Sequence, residues 1–324
     1  MTGCALILIA VTALNVNSII VSAGNGFSHE KEYTAGNAVI SDPVRNLDIN
    51  WINGKVDITY HKENTISLTE TSKKEIRPDD RMIWWLDGDT LRVQYEKTRF
   101  FQFSDQEKEL TITLPEGSAF GEVSIDATSA TLSIPSLQTE VLDLNVTSGD
   151  IFASAEAQKI SCDATSGDAD LSIKNKAQEI SFSSTSGNIQ IDAVGADEIK
   201  AGSTSGSISV TAKNVGTFKA GSTSGAIQAE LGEAEKVKAE STSGNILIQA
   251  AGLKDLEIDA TSGDVTAGLP AEPGFTAHLD TTSGKIDYEL PLTKQGSALV
   301  CGDGSGNVNI DTTSGDIKIL PVNE

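Results

Sequence analysis

Between residues 147 and 315 the chain writes Thr-Ser-Gly nine times, starting at Thr147, Thr165, Thr185, Thr204, Thr223, Thr242, Thr261, Thr282 and Thr313. Thr128-Ser129-Ala130 and Gly304-Ser305-Gly306 read as degenerate copies, and successive starts lie 19, 18, 20, 19, 19, 19, 19, 21, 22 and 9 residues apart. So constant a period restricts the fold more than any other feature. One short unit cannot bury an apolar face by itself and has to stack on its neighbours. Apolar residues alternate ahead of the triplets, as in Val123, Ile125, Ala127 and in Leu256, Ile258, Ala260. They resume at the second and fourth residues after each glycine, as in Ile151 and Ala153 or Ile189 and Ile191. Period two is the mark of a strand with one buried face. Each copy is therefore strand, sharp corner, strand, and the chain is expected to be all-β, a parallel β-solenoid or β-helix.

The corner chemistry follows from the residues. Glycine is expected to supply positive φ there, and the Thr and Ser hydroxyls to bond turn backbone or to line up as ladders. The residue before Thr is small (Ala127, Ala164, Ser184, Ser203, Ser222, Ser241, Ala260), as the inside of a tight corner requires. Variable stretches such as DAVGADE, TAKNVGT and ELGEAEK mark the second corner. Each coil is expected to lie on the one before it, about 4.8 Å further along the axis. The closing interval of nine residues predicts a half-turn at Gly304–Gly306, with Val308, Ile310 and Thr312 shared between two corners. Pro321 would blunt the edge left exposed there.

Three regions are expected. Residues 1–23 are a signal peptide or membrane anchor: an apolar run from Cys4 to Val21 precedes the small residues Ser22 and Ala23, with no Lys or Arg ahead of it. A buried segment is the third reading of that run, and Cys4 stands on its wrong side for lipidation. Residues 24–120 are an N-terminal β capping subdomain with the first coils, holding Trp51, Trp84 and Trp85, an Asn53-Gly54 corner and a hairpin at Asp87-Gly88. Residues 121–324 are the repeat solenoid.

An apolar N-terminal segment, an early Asn-Gly strand pair, a TLPEG strand and a train of TSG[DN]-[IV]-x-[IV] coils together resemble the putative adhesin family of bacterial surface proteins, over about residues 38–320. The resemblance implies a cell-surface protein with no established catalytic residues. It also implies, for one related group, sensing of cationic antimicrobial peptides during envelope stress in Gram-positive bacteria.

Net charge is −22 with a pI near 4.4, which repels nucleic-acid phosphates. No cofactor is expected. His29, His61 and His278 lack metal-ligand spacing to one another or to a cysteine. Asp168 with Asp170, or Asp303 with Asp311, could bind a hard cation or simply stand solvated. Polysaccharide lyases on β-helices, the enzymatic alternative, use an Arg or Lys base, and there is no arginine from residue 121 onward. Cys162 and Cys301 read either as small buried hydrophobes or as a disulfide.

Two functional readings remain. One is a non-enzymatic exported adhesin or structural rod, extracellular or at the cell surface, that meets a host or envelope glycan or protein. The other is a sensor of cationic peptides, for which residues 121–324 offer 29 Asp and Glu against 12 Lys, a balance of −17. Membrane contact is expected only through the N-terminal segment. Adjacent Trp84 and Trp85 should face opposite sides of their strand, one completing the cap and one available as a partner-binding anchor.

Overall fold

The computed structural model describes residues 33–97 and 106–322. Its N-terminal part holds β1 (Thr34–Ala35), β2 (Ala38–Ile40), β3 (Asn46–His61), β4 (Ile66–Ser72), a 3-10 turn at Pro78–Asp80, β5 (Ile83–Asp87), β6 (Thr90–Gln94) and β7 (Lys108–Pro115). Then come β8 (Ala119–Ile134), β9 (Gln138–Ser148), β10 (Ile151–Ser166), β11 (Ala169–Ser184), β12 (Ile189–Ser203), β13 (Ile208–Ser222), β14 (Ile227–Ser241) and β15 (Ile246–Ser262). The last seven are β16 (Val265–Leu269), β17 (Gly274–Ser283), β18 (Ile286–Tyr288), β19 (Thr293–Gln295), β20 (Ala298–Gly302), β21 (Gly306–Ser314) and β22 (Ile317–Pro321). The protein is an all-β, predominantly parallel solenoid.

Each long strand bends at the variable stretch, so a coil has two legs and two corners. In β12 the first leg turns Ile189, Ile191 and Ala193 inward, and the second turns Ile199, Ala201 and Ser203 inward. The next coil repeats this in register: Ile189 pairs with Ile208, Ile199 with Phe218 and Ser203 with Ser222. One hydrophobic cluster, running from Ile40 to Ile319, fills the space between the legs.

The triplet corners stack, but for a different reason than positive φ. Among the corner glycines of the stack, φ is positive at Gly54, Gly149 and Gly167 only. At Gly187, Gly206, Gly225 and Gly244 the constraint is space, because a Cβ would drive far inside contact distance of the backbone carbonyl one coil below. The Thr and Ser hydroxyls of the triplets do not bond the turn backbone either, among the described residues: Thr223, Ser224, Thr242 and Ser243 simply face solvent. The small residue ahead of the triplet does the bonding instead. Ser184, Ser203, Ser222 and Ser241 are buried, and their Oγ atoms accept the N–H of Gly187, Gly206, Gly225 and Gly244 at 2.8–3.0 Å. Where alanine takes that place, no hydroxyl is on offer; beyond Ala260 the Gly263 N–H donates to the Ser314 carbonyl of the neighbouring coil.

The residue after each glycine satisfies the coil above. Asp150 Oδ1 accepts the N–H of Asp168, Asp168 that of Asn188, and Asn188 that of Ser207, at 2.8–3.1 Å. Asn245, Asp264 and Asp316 continue the series. Ser207 and Ala226 interrupt it with side chains too short to reach.

Both ends depart from simple succession. The first full coil, β3, lies between β6 with β7 on one side and β8 on the other. The last coil, β21 with β22, slides between β15 with β16 and β17 with β18. The expected half-turn is therefore absent. Gly302 and Gly304, both at positive φ, turn the chain from β20 into an inserted full coil, and Gly306 stands outside the corner stack. Threading the terminal strand inside gives both of its edges a partner. Pro321 pairs beside Leu269 within that inserted coil, and the outermost strand is β18. The hairpin of β5 and β6 turns at Gly88-Asp89, one residue beyond the expected position, because Asp87 pairs with Thr90.

Two stability predictions follow from the corners. Gly206→Ala should cost about 1–3 kcal/mol by overpacking, whereas Gly202→Ala, whose Cβ meets nothing within 4 Å, should be neutral or slightly stabilising; equal urea midpoints for the two variants would refute the close-approach account. Ala226→Asn should restore an acceptor for the Asn245 N–H and raise stability by about 0.5–1.5 kcal/mol, read as an upward shift of the urea midpoint at unchanged slope.

Candidate interaction surfaces

Stacked legs convert sequence positions into rows. On the outer face of the second leg, Ser181, Lys200, Lys219, Lys238 and Glu257 follow one another coil by coil. Lysines stacked at this spacing would repel, and the neighbouring row compensates. Lys200 sits 2.8 Å from Glu179 and 2.9 Å from Glu198, Lys219 sits 2.9 Å from Glu198, and Lys238 lies 3.0 Å from Glu240 and 2.8 Å from Glu257. The hydrogen bonds to Glu257 and Glu240 push the Lys238 ammonium above its ordinary range, and those from Lys200 and Lys219 hold the Glu198 carboxyl below its own.

Toward the N-terminal end the same face turns acidic: Arg92 pairs with Asp48, but among the described residues no cation pairs with Asp126, Asp143 or Asp163. These three are half-buried on adjoining coils. Burial first, then the charges of Asp126 and Asp163, raise the Asp143 carboxyl to about 6. Asp126 is also raised by burial, against an opposing hydrogen bond from Asn145.

The second corners form a groove of about 580 Å3. Ala196, Val215, Ala234 and Leu253, aligned coil to coil, make an apolar floor. Asp197, Glu233 and Glu235 line it. Lys176 and Lys254 also line it and are tied to Asp197 at 2.6 Å and Glu235 at 2.7 Å. The sequence reading missed this groove, since its residues differ from coil to coil and only the register aligns them.

At the N-terminal end, Trp84 and Trp85 lie on β5, far along the rod from the groove. Both are half-buried, Trp84 packs against the core, and each indole N–H is buried with no hydrogen-bond partner among the described residues. Beneath them is a buried charge network. Lys108 Nζ is fully buried 2.6 Å from Glu70, donates to the Asp80 and Tyr95 carbonyls, and lies over the rings of Trp51 and Tyr95. Glu70 also accepts the Met82 N–H. Desolvation lowers the Lys108 pKa and the bond Lys108 donates to Glu70 opposes that shift.

The remaining sequence candidates are dispersed. Asp168 is a corner acceptor, Asp303 accepts the N–H of Ser305 within its own turn, and Asp170 and Asp311 stand on different legs. Among the described residues no group of three or more His, Cys, Asp or Glu is placed to hold a metal. Cys162 and Cys301 are buried free thiols, not a disulfide. Residues 1–23 and His29 lie outside the described residues; within those described, no helix is long and apolar enough to cross a membrane.

A family model described as Toastrack DUF4097 matches residues 44–231 and 159–320, and so spans nearly all of the coils described above. The chain belongs to the Toastrack DUF4097 family. Solved structures with similarity to this Toastrack chain include a putative adhesin from Parabacteroides distasonis ATCC 8503 (14% identity, TM-score 0.48, covering 90% of this chain and 98% of that one). Others are a putative adhesin from Parabacteroides merdae ATCC 43184 (12%, 0.47, 90% and 97%) and one from Bacteroides fragilis NCTC 9343 (15%, 0.40, 74% and 97%). At such identities these likenesses say nothing of a ligand. None of the curated proteins matches the Toastrack chain.

The acidic row generates a pH prediction. Asp143 titrates near 6 when folded and near its ordinary 3.8 when unfolded, so the native state binds more protons between those values and stability falls as pH rises through them. Asp143→Asn should therefore raise the melting temperature at pH 7.5 and lose that advantage at pH 3, below both values. An unchanged difference across the two pH values would contradict the assignment.

Proposed function

We propose that this protein is an exported, non-enzymatic cell-surface rod that acts as an adhesion or interaction module, its partner seated in the groove over Ala196, Val215, Ala234 and Leu253. The observation that carries the reading is the combination in that groove of an apolar floor and an acidic lining, on a face where most neighbouring charges are already paired. Apolar floor supplies area to bury, and a polar rim fixes orientation. The apolar run at residues 1–23 supports export. Repeated coils at fixed height also suit a partner that is itself extended, such as an envelope or host glycan or a protein strand.

The acidic lining also favours a second reading, capture of cationic peptides. Electrostatics of this kind speeds encounter, confers little sequence selectivity and fades with salt. One experiment separates the two. The full chain is titrated by calorimetry with a cationic amphipathic peptide at low and high salt, and in parallel with cell-envelope and host glycans. For the sensor, Glu233→Gln with Glu235→Gln should weaken peptide binding roughly tenfold at low salt and little at high salt. For the adhesin, Leu253→Asn should abolish glycan binding that the double Gln variant retains. Absence of peptide binding at low salt removes the sensor. Glycan binding that survives Leu253→Asn but is lost with Trp84→Ala and Trp85→Ala would move the contact from the groove to the tryptophan hairpin.

A further inference from the structure

The two ends of the solenoid are finished differently. At the N-terminal end the outer edge of β7 is paired by β4, which is paired by β2, and the outer edge of β6 is paired by β5, which is paired by β1. At the other end β20 covers β17 only over Gly274–Ala277. Among the described residues, no strand pairs with the outer edge of β17 beyond Ala277 or with that of β18. Ile286 and Tyr288 occupy inward-facing positions, aligned with Ile317 and Ile319, which are 0% exposed. Yet Ile286 is 36% and Tyr288 45% exposed. The open end of the core is bare over Ile286 and Tyr288, although Leu290 just beyond them is buried, and a solenoid's last coil needs a cover.

We infer that this end docks on the same end of a second copy, β18 pairing antiparallel with β18 across a two-fold axis through Ile286. Backbone geometry and charge select that occupant and that register. The Lys285 carbonyl accepts from Ile317, and the Glu289 N–H donates to Ile319. By strand alternation, the free N–H and C=O groups on the outer edge therefore belong to Ile286 and Tyr288. Four self-pairings use those groups. Centring on Lys285 or on Asp287 sets that residue against its own copy, and centring on Tyr288 sets Asp287 against Glu289, like charge facing like charge each time. Centring on Ile286 sets each Lys285 opposite Asp287 of the second copy, twice, and Ile286 opposite Ile286. Directly opposed unlike charges and paired β-branched side chains both favour that register. An axis normal to the sheet keeps inward positions inward, so the two bare cores close on each other. The interface is isologous and ends the assembly at two copies.

The test uses the full chain in a non-denaturing detergent, which keeps residues 1–23 from associating, and sedimentation velocity over a concentration series. The wild type should dimerise. Lys285→Asp and Asp287→Lys should each weaken the dimer by about tenfold or more, since each turns two attractive cross-strand pairs repulsive. The double variant K285D/D287K should restore it, and circular dichroism should show all four proteins equally folded, because both side chains are exposed. A wild type that stays monomeric, as it would if residues 1–32 of the same chain covered this end, overturns the inference. So does a dimer indifferent to the single substitutions, or one that the charge swap fails to rescue.

Discussion

Backbone lies directly on backbone at the triplet corner, and the rest of the solenoid is arranged around that contact. With no room for a Cβ between one corner and the carbonyl below it, each glycine is held at a fixed height and lateral position over the last. That fixes the register of both legs: once Gly206 is seated on Gly187, Ile208 has to fall on Ile189 and Ser203 on Ser184. Inward residues then form aliphatic columns, and outward residues form ladders whose chemistry is set by what sits one coil away. The same close approach leaves two N–H groups per corner needing acceptors. The buried serine before the triplet supplies one, and the Asn or Asp after it supplies the other. Buried donors left unpaired would each cost about 1–3 kcal/mol, and the fully satisfied corner is a five-residue signature, as in Ser184 to Asn188.

Threading at both ends answers a related demand. A rod built by simple succession would finish on two naked parallel edges. Here β3 and the pair β21 with β22 are interior; hairpins fold over the N-terminal end and over Gly274–Ala277 of β17, and of the coil strands only β18 and the rest of β17 keep a free edge among the described residues. The N-terminal plug goes further and places Lys108 and Glu70 inside it. A buried ion pair contributes little net stability against the desolvation it requires. What it imposes is geometry, since Lys108 bonds two carbonyls and stacks on two aromatic rings that only one placement of the 3-10 turn and β6 brings together.

Much of this was legible in the sequence. Period two around a nineteen-residue recurrence gave coil, legs and inward residues, and almost every inward position read from it is buried. The errors share one cause, which is that local pattern carries no information about what lies one coil away. Glycine was read through its own φ because the carbonyl below it is sequence-distant. The serine before the triplet was read by size, although its hydroxyl does the bonding. Gly304-Ser305-Gly306 looked like a corner by composition, and only stacking shows that it is not. Lys108 was available to a stricter reading, since it falls in phase with Leu110, Ile112 and Leu114, as Glu70 does with Ile66 and Leu68. Two opposite charges on inward phases in one capping region are a pair waiting to be matched. The groove could not have been found this way, because Ala196, Val215, Ala234 and Leu253 become a surface only through register.

Charge on the outer faces is distributed in a way that folding alone does not require. A face arranged for stability sets opposite charges within reach on neighbouring rows, as Lys200 with Glu179 and Glu198, and Lys219 with Glu198. Two like charges about 5 Å apart repel by roughly 1 kcal/mol in water and by more where solvent is partly excluded. Asp143 stands diagonal to Asp126 and Asp163, which share the row of Asn145, and burial first and then their charges drive it up to about 6. Solubility needs net charge, not clustered like charges, and no corner N–H is satisfied by these three carboxylates. Asn145 and Ser183 donate to Asp143 and Asp163 and return part of that cost; the remainder is what a contact role for this acidic face, of the kind proposed for the groove, would have to recover.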